Sequence, residues 1–193
     1  MEAIDRAAAA IRAGALVVYP TETVYGLGAD ALSPEAIERA FETKGRARDR
    51  PLSMAVPDVA AAEGYTRLTD RERAFAERFL PGPVTVVAER GPEIPDELTG
   101  GRERVGIRIP DHPVALALLA EVAPITATSA NLSGDPNARR VVDLDPAVER
   151  RSDVVLDGGS LTGTESTVVD VEMREIHRRG ALADEIERWL ADR

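Results

Sequence analysis

Residues 18–31 read VYPTETVYGLGADA, and the last six of them fit the pattern G-x-G-x-x-A. That pattern is typical of a dinucleotide-binding loop when the first glycine follows a strand at once and a helix begins inside the pattern. Here Pro20 ends the strand well before Gly26, and the next helix has its own start at Ser33. The sequence therefore argues against a dinucleotide-binding fold. We expect Gly26 and Gly28 to form a tight turn with positive φ.

On both sides of this stretch, short apolar strands alternate with amphipathic helices, and strands cluster towards the carboxyl end. The predicted strands are Ala15–Tyr19, Leu52–Val56, Val84–Ala88, Val105–Ile109, Pro124–Thr128, Val154–Leu156, Thr167–Val171 and Glu175–His177. The predicted helices are Glu2–Ala13, one from Ser33 to about Thr43, one that Thr69 and Glu72 begin as a capping box, His112–Ala120 and Ala181–Leu190. This order predicts the α/β class, with one domain on a twisted mixed parallel and antiparallel sheet and flanking helices.

Composition excludes several classes of function. With no cysteine among 193 residues, the chain has no disulfide, thiol nucleophile or thiolate metal site. The net charge of −10 repels nucleic acid at long range, so any RNA role requires a local basic patch. No apolar run approaches the length of a membrane span, and the amino terminus is an acidic amphipathic helix rather than a signal peptide. We expect a cytoplasmic protein with no membrane partner.

The segment TKGRARDRP, residues 43–51, concentrates positive charge. Lys44, Arg46, Arg48 and Arg50 stand at alternate positions, which places them on one side if the segment is extended. Such a cluster requires an anionic partner or solvent, and two interpretations remain open. The arginines pair with surface acids, or they bind phosphate together with Lys44, the only lysine of the chain.

Small hydroxyl and amide side chains collect in three further segments. They are TET at 21–23, TATSANLSGDPN at 126–137 and GTESTVVD at 163–170, and each lies at the start or end of a predicted strand. Such groups hold a ligand without transferring protons, although they also build ordinary turns. No Walker-type phosphate loop or G-x-S-x-G elbow is present, and we expect His112 and His177 to be structural. Cations and hydroxyls without a nucleophile favour a reaction between positioned substrates.

The combination of KGR at 44–46 with SAN at 129–131 resembles the K-x-R and S-x-N signature of the YrdC/Sua5 family. YPTETVYGLGADA, PGPVTVV, VGIRIPDHP, SANLSG and ESTVVD are similar to its recurrent segments, in the same order, so the resemblance covers nearly the whole chain. It implies a YrdC-like sheet around a deep basic cavity. It also implies that residues 1–193 form a single catalytic domain without the carboxyl-terminal extension of longer Sua5 relatives.

The activity that the resemblance implies is a nucleotidyltransferase, a threonylcarbamoyl-AMP synthase acting for the tRNA modification t6A. It would form threonylcarbamoyl-AMP and pyrophosphate from L-threonine, bicarbonate and ATP, with Mg²⁺ accompanying ATP and no organic cofactor. Its further partner would be the downstream machinery that transfers threonylcarbamoyl to tRNA. The domain would also bind RNA weakly. The alternatives are a double-stranded RNA or tRNA-binding module of the same fold without adenylation activity, and a carbamoyl-transfer domain like that of hydrogenase-maturation proteins.

The resemblance also implies the residues of the site, and none of them is a metal ligand. The catalytic set is Lys44, Arg46, Ser129 and Asn131. The ATP-binding set is Lys44, Arg46, Arg50, Arg104, Asn131, Asn137 and Arg178. The threonine-binding set is Thr23, Arg108, Ser129 and Ser166.

Overall fold

The computed structural model describes residues 1–191, in which strands and helices alternate along most of the chain. The strands are β1 (Val17–Tyr19), β2 (Gly26–Gly28), β3 (Ser53–Ala55), β4 (Thr66–Arg67), β5 (Val84–Arg90), β6 (Arg104–Arg108), β7 (Ile125–Ser129), β8 (Val154–Val155), β9 (Thr167–Asp170) and β10 (Glu175–Arg178). The helices are α1 (Glu2–Arg12), α2 (Pro34–Lys44), α3 (Val59–Glu63), α4 (Asp70–Phe79), α5 (Asp96–Thr99), α6 (Pro113–Glu121), α7 (Pro146–Arg151) and α8 (Ala183–Ala191), with a 3₁₀ turn at Val141–Asp143. Each helix within residues 1–191 is too short or too polar to span a membrane.

The strands form one mixed sheet in the order β10-β9-β5-β6-β3-β7-β2-β1-β8, and β4 pairs with the end of β5. The pairs β3–β6, β5–β9 and β1–β8 are parallel, and the other pairs are antiparallel. Helices flank this sheet and supply much of its buried core. The predicted α/β class with a mixed sheet is therefore confirmed.

The two faces of the sheet are covered differently, because side chains alternate between the faces along each strand. On one face, residues such as Met54, Val86 and Ile107 pack into the main core with side chains of α2 and α4. On the other face, Tyr19 and Ile125 pack into a second, smaller cluster with α1 and α6. The second face continues past this cluster into small and polar side chains, which are Ser53, Thr85, Gly106, Ala127 and Ser129.

The prediction of a tight turn with positive φ at Gly26 and Gly28 is wrong. These residues form β2, which pairs antiparallel with β1 and β7, and neither glycine has a positive φ. Glycine is needed because a Cβ on Gly26 would lie 2.8 Å from Cζ of the buried Tyr19 ring, and a Cβ on Gly28 would lie 3.2 Å from Ile125 Cδ1. Since no helix follows β2 directly, rejection of the dinucleotide-binding loop is confirmed.

The helix signals in the sequence are confirmed where a cap carries them. Ser33 caps α2 through the N–H of Ala36, and Thr69 and Glu72 form the predicted capping box of α4. Several short elements were not predicted: α3, β4, α5, α7 and the 3₁₀ turn. Two of them carry cap signals that were missed, since Asp58 caps α3 and Asp145, followed by a proline, caps α7. Predicted and observed ends of the remaining strands differ by one or two residues at most ends, as is usual for element boundaries.

Candidate active site

A cavity of about 810 Å³ opens over the small residues of the second sheet face. This volume is typical of a site for small molecules. Its floor is the part of that face that α1 and α6 do not cover, and its walls come from the turn after β1, the segment after α2, and the β9–β10 region. Six arginines line the cavity against four carboxylates, namely Arg46, Arg50, Arg102, Arg104, Arg108 and Arg178 against Asp49, Glu103, Glu165 and Asp170. That the cavity is deep and positively charged stays a prediction.

The structure brings the sequence-predicted site residues to this one place. Eight of them line the cavity: Thr23, Arg46, Arg50, Arg104, Arg108, Ser129, Ser166 and Arg178. The other three are not lining residues but form hydrogen bonds with residues that are. Lys44 and Asn131 hold the loop that carries Ser129, and Asn137 donates a hydrogen bond to Glu165 (2.7 Å).

Lys44, the last residue of α2, is buried beneath the 129–137 loop. Its ammonium donates to the backbone oxygens of Ser129 and Asn131 (2.7 Å to Asn131) and to Asn131 Oδ1 (3.2 Å). These three contacts use all the donors that an ammonium has. Burial, assisted by the charge of Arg46, lowers the pKa of Lys44 to about 8. Lys44 therefore fixes the loop that presents Ser129 to the cavity.

The prediction that the four cations of the basic segment share one side is wrong. Arg46 and Arg50 face the cavity, whereas Arg48 turns away, pairs with Glu38 and lies over the Phe41 ring, 5.1 Å from its centroid. The segment is not extended, because Gly45 ends α2 in the left-handed region at φ 57°. A turn follows, in which the N–H of Arg50 donates a hydrogen bond to the backbone oxygen of Ala47 (3.1 Å).

Arg46 is held in place by backbone oxygens of its own segment. Its Nε donates to the Arg50 oxygen (2.8 Å), and its Nη2 donates to the Pro51 oxygen (3.1 Å). Burial lowers the pKa of Arg46, and the neighbouring charges of Arg50 and Arg178 lower it further. Three guanidinium groups thus lie close enough to influence one another, an arrangement that suits a polyanionic ligand.

Arg108 and Thr23 meet at another end of the cavity. Arg108 Nη2 donates to Glu22 Oε1 (2.9 Å) and to Thr23 Oγ1 (3.1 Å). Burial lowers the pKa of the Arg108 guanidinium, while the charge of Glu22 acts in the opposite direction. The Thr21 hydroxyl fixes the turn by accepting from the N–H groups of Thr23 (3.1 Å) and Val24 (3.2 Å).

Arg178 and Arg104 are each tied to neighbouring elements. Arg178 Nη2 donates to Ser166 Oγ (2.8 Å), which fixes the start of β9 against β10. Arg104 Nη2 donates to Glu72 Oε1 (2.9 Å), and its Nε lies 2.9 Å from Asp170 Oδ2. Both of these carboxylates are buried, so they largely neutralise Arg104 although it lines the cavity.

Several lining residues were not predicted. Thr85 lies directly opposite Arg108 on the neighbouring strand, and its hydroxyl is 3.4 Å from Ser166 Oγ. Once Arg108 is placed, the alternation of β5 could have identified Thr85. His177 lines the cavity, whereas we expected it to be structural. His112 has the expected structural role, because its Nδ1 accepts from the N–H of Val114 at the start of α6 (3.2 Å).

A protein-family model matches most of this chain. The Sua5/YciO/YrdC family model, described as telomere recombination, matches residues 9–180. The chain belongs to this family. Among Sua5/YciO/YrdC proteins, the threonylcarbamoyl-AMP synthase of Pyrococcus abyssi is 40% identical over 86% of this chain and 49% of its own length. The putative threonylcarbamoyl-AMP synthase of Methanocaldococcus jannaschii is 35% identical over 82% of this chain and 75% of its own length.

A solved structure of the family shows the same fold. The crystal structure of P. abyssi Sua5 complexed with L-threonine superposes with a TM-score of 0.88 at 39% identity, over 96% of this chain and 56% of that one. The chain spans about half the length of the curated P. abyssi and Bacillus subtilis relatives, 49% of each. The family and the YrdC-like fold of this chain are thus established.

Proposed function

We propose that the cavity is the active site of a threonylcarbamoyl-AMP synthase, a nucleotidyltransferase. The observation that carries the proposal is the convergence of Thr23, Arg46, Arg108, Ser129 and Ser166, from five separate segments, on one cavity. The relatives named threonylcarbamoyl-AMP synthase support it, as does the L-threonine complex of a family member. The substrates would be L-threonine, bicarbonate and ATP, and the products threonylcarbamoyl-AMP, pyrophosphate and water.

The amino acid would bind at Arg108. A buried guanidinium beside a threonine hydroxyl is suited to a carboxylate. The hydrogen bonds between a guanidinium and a carboxylate are charge-assisted and therefore stronger than those that neutral groups supply. Thr23 and Ser166 would bind polar groups of L-threonine, and Ser129 would lie between the two substrates. Both substrates would lie above the small floor residues, in the cavity of about 810 Å³.

The nucleotide would bind along the wall that Arg46, Arg50 and Arg178 form. Their charges are opposite to those of a triphosphate. Burial lowers the pKa of Arg46 most, and the repulsion from Arg50 and Arg178 that lowers it further would be relieved by that anion. Arg104 and Asn137 would complete this subsite. Lys44 and Asn131 would act by holding Ser129 and by placing a positive charge behind the loop, since the ammonium already donates to three protein acceptors.

The reaction would proceed in two steps. The neutral amine of L-threonine attacks bicarbonate and gives a carbamate and water. A carbamate oxygen then attacks the α-phosphorus of ATP in line, and pyrophosphate leaves. The cavity offers cations and hydroxyls for such a displacement, which depends on positioning and charge neutralisation. Mg²⁺ would enter as the complex with ATP, because phosphates and water supply most of its ligands in such sites. We propose no organic cofactor.

The product is a reactive mixed anhydride, so an enzyme that transfers threonylcarbamoyl to tRNA would have to consume it. We therefore propose a role in t6A formation, in the cytoplasm, with residues 1–193 as the catalytic domain. The second candidate is an RNA-binding module of the same fold. A ligand-sized cavity with a buried carboxylate-binding arginine favours the enzyme, because an RNA module needs neither.

The test is pyrophosphate release from MgATP, with L-threonine and bicarbonate omitted separately. We expect release only when both are present, and loss of release in Arg46→Ala. The matched control is Arg48→Ala, which removes an arginine of the same segment that faces away from the cavity. Release without either substrate, or none in a folded protein, contradicts the proposal. Specific tRNA binding in that case would favour the RNA-binding module.

A further inference from the structure

The ion pair between Arg108 and Glu22 is incomplete on both sides. Only Nη2 of Arg108 and Oε1 of Glu22 meet, at 2.9 Å. The other two atoms, Nη1 of Arg108 and Oε2 of Glu22, are buried and have no hydrogen-bond partner within residues 1–191. A bidentate pair would have used all four atoms. Because buried polar atoms are nearly always hydrogen-bonded, two complementary unsatisfied atoms in one ion pair indicate a ligand.

The turn that carries Glu22 is held from several directions. The Thr21 hydroxyl donates to the Val24 oxygen (2.7 Å), and the backbone oxygen of Glu22 accepts from the Thr162 hydroxyl (2.8 Å). The backbone oxygen of Thr23 accepts a hydrogen bond from the N–H of Gly163 (2.8 Å). The Glu22 side chain is only 16% exposed, so its carboxylate stays beside Arg108. Glu22 is not itself a lining residue, but its neighbours Thr21 and Thr23 and its partner Arg108 line the cavity, so its carboxylate is held beside the guanidinium that would bind the substrate.

An α-amino acid complements this pair atom for atom. Its carboxylate can accept from Arg108 Nη1, and its amino group, one carbon away, can donate to Glu22 Oε2. The ion pair and the zwitterion are each neutral overall, so their union buries no net charge. We propose that Glu22 binds the amino group of the substrate, and this inference rests on the proposed function. Glu22 would then hold the nitrogen that becomes the carbamate and would select amino acids over hydroxy acids.

A different role for Glu22 makes a different prediction. If Glu22 only orients Arg108, its removal weakens every carboxylate ligand by the same factor. If Glu22 binds the amino group, its removal weakens only ligands that carry one. A pair of ligands that differ in the amino group alone separates the two roles.

The experiment is calorimetric titration with L-threonine and with 3-hydroxybutyrate, which is threonine without its amino group. The proteins are the wild type, Glu22→Gln and, as a matched control, Glu38→Gln, which removes a carboxylate paired with Arg48 away from the cavity. We expect the wild type and the control to prefer L-threonine by roughly 10- to 100-fold, the range for a hydrogen bond between charged groups. We expect Glu22→Gln to lose most of this preference, with its affinity for 3-hydroxybutyrate unchanged or increased.

An equal loss for both ligands in Glu22→Gln would overturn the inference and leave Glu22 as a positioning residue for Arg108. If the wild type binds the two ligands with equal affinity, the inference is also overturned. This result needs no variant, so the test remains valid even if Glu22→Gln does not fold. A wild type that makes pyrophosphate with both substrates but shows no preference refutes this inference alone. A folded wild type that binds neither ligand and releases no pyrophosphate refutes the proposed function as well.

Discussion

Lys44 is expected to titrate near pH 8 rather than at 10.5, its ordinary value. A lysine whose pKa is lower in the folded than in the unfolded state destabilises the fold while it is protonated. At about 1.36 kcal/mol for each unit of pKa, this cost is about 3 kcal/mol. It is full below about pH 8 and is relieved as the pH rises towards 10.5, because the unfolded chain then binds more protons at this site than the folded one.

The free energy of unfolding should therefore rise with pH in the wild type relative to Lys44→Met. Methionine has a similar length and cannot titrate, so the difference between the two proteins isolates Lys44. Between about pH 7 and 9.5 we expect the wild type to gain about 2 kcal/mol on the variant. Every other titratable group is common to both proteins, and the chain has no cysteine that could interfere. Urea unfolding, followed by the fluorescence of the single tryptophan Trp189, measures the difference.

A direct measurement is available because Lys44 is the only lysine. Labelling the protein with ¹³Cε-lysine gives one resonance, whose titration reports the pKa. A midpoint near 10.5, with parallel stability curves for wild type and Lys44→Met, would refute the reasoning. Pyrophosphate release should also decline above about pH 8, because a neutral amine has two N–H donors for the three acceptors that now hold the loop.

Three further variants test other parts of the structure. Arg48→Ala should leave the KM for ATP within about 2-fold of wild type, because Arg48 pairs with Glu38 and is not among the cavity-lining residues, and the exposed pair contributes little to stability. A large rise in KM would mean that Arg48 reaches the nucleotide. Gly106→Ala would place a methyl group 2.9 Å from Thr85 Cγ2 on the cavity floor. The variant should lower the free energy of unfolding, measured in urea, by about 1–3 kcal/mol and should weaken L-threonine binding. An unchanged free energy and an unchanged affinity would contradict close packing at the cavity floor. Thr69→Ala removes the capping box of α4 and should lower the free energy of unfolding by about 1 kcal/mol without changing turnover. Reduced turnover in a folded variant would contradict a purely structural role for Thr69.

Local signals predicted the elements that local contacts determine. The serine and proline that begin α2 and the capping box of α4 act within one turn of helix, so they can be read from neighbouring residues. Gly26 could not be interpreted in this way. Its requirement for glycine comes from the Tyr19 ring across the β1–β2 pair rather than from its own backbone angles. The same pattern of glycines is compatible with a turn and with a closely packed strand.

The sequence identified most of the site through a resemblance, and packing determined the rest. Period two indicates which residues of a strand share a face, but not which part of that face a helix covers. Thr85 is on the cavity floor because α1 and α6 lie elsewhere on the sheet. Likewise, Arg48 turns away from the cavity because it contacts Glu38 and Phe41 in α2. The alternation of charges in residues 44–50 does not indicate these contacts.

The position of β9 beside β5 has a consequence for the order in which a ribosome could complete the site. The floor is encoded largely before residue 130, whereas Ser166, just before β9, Asp170 in β9 and Arg178 in β10 add the remaining wall. A nascent chain that has emerged only as far as β8 would have Arg46 and Arg50 but would lack Arg178 and the rest of the β9–β10 wall. Ligand binding can therefore discriminate finished chains from prematurely ended ones, and ligands present during synthesis would protect only the finished ones from proteolysis.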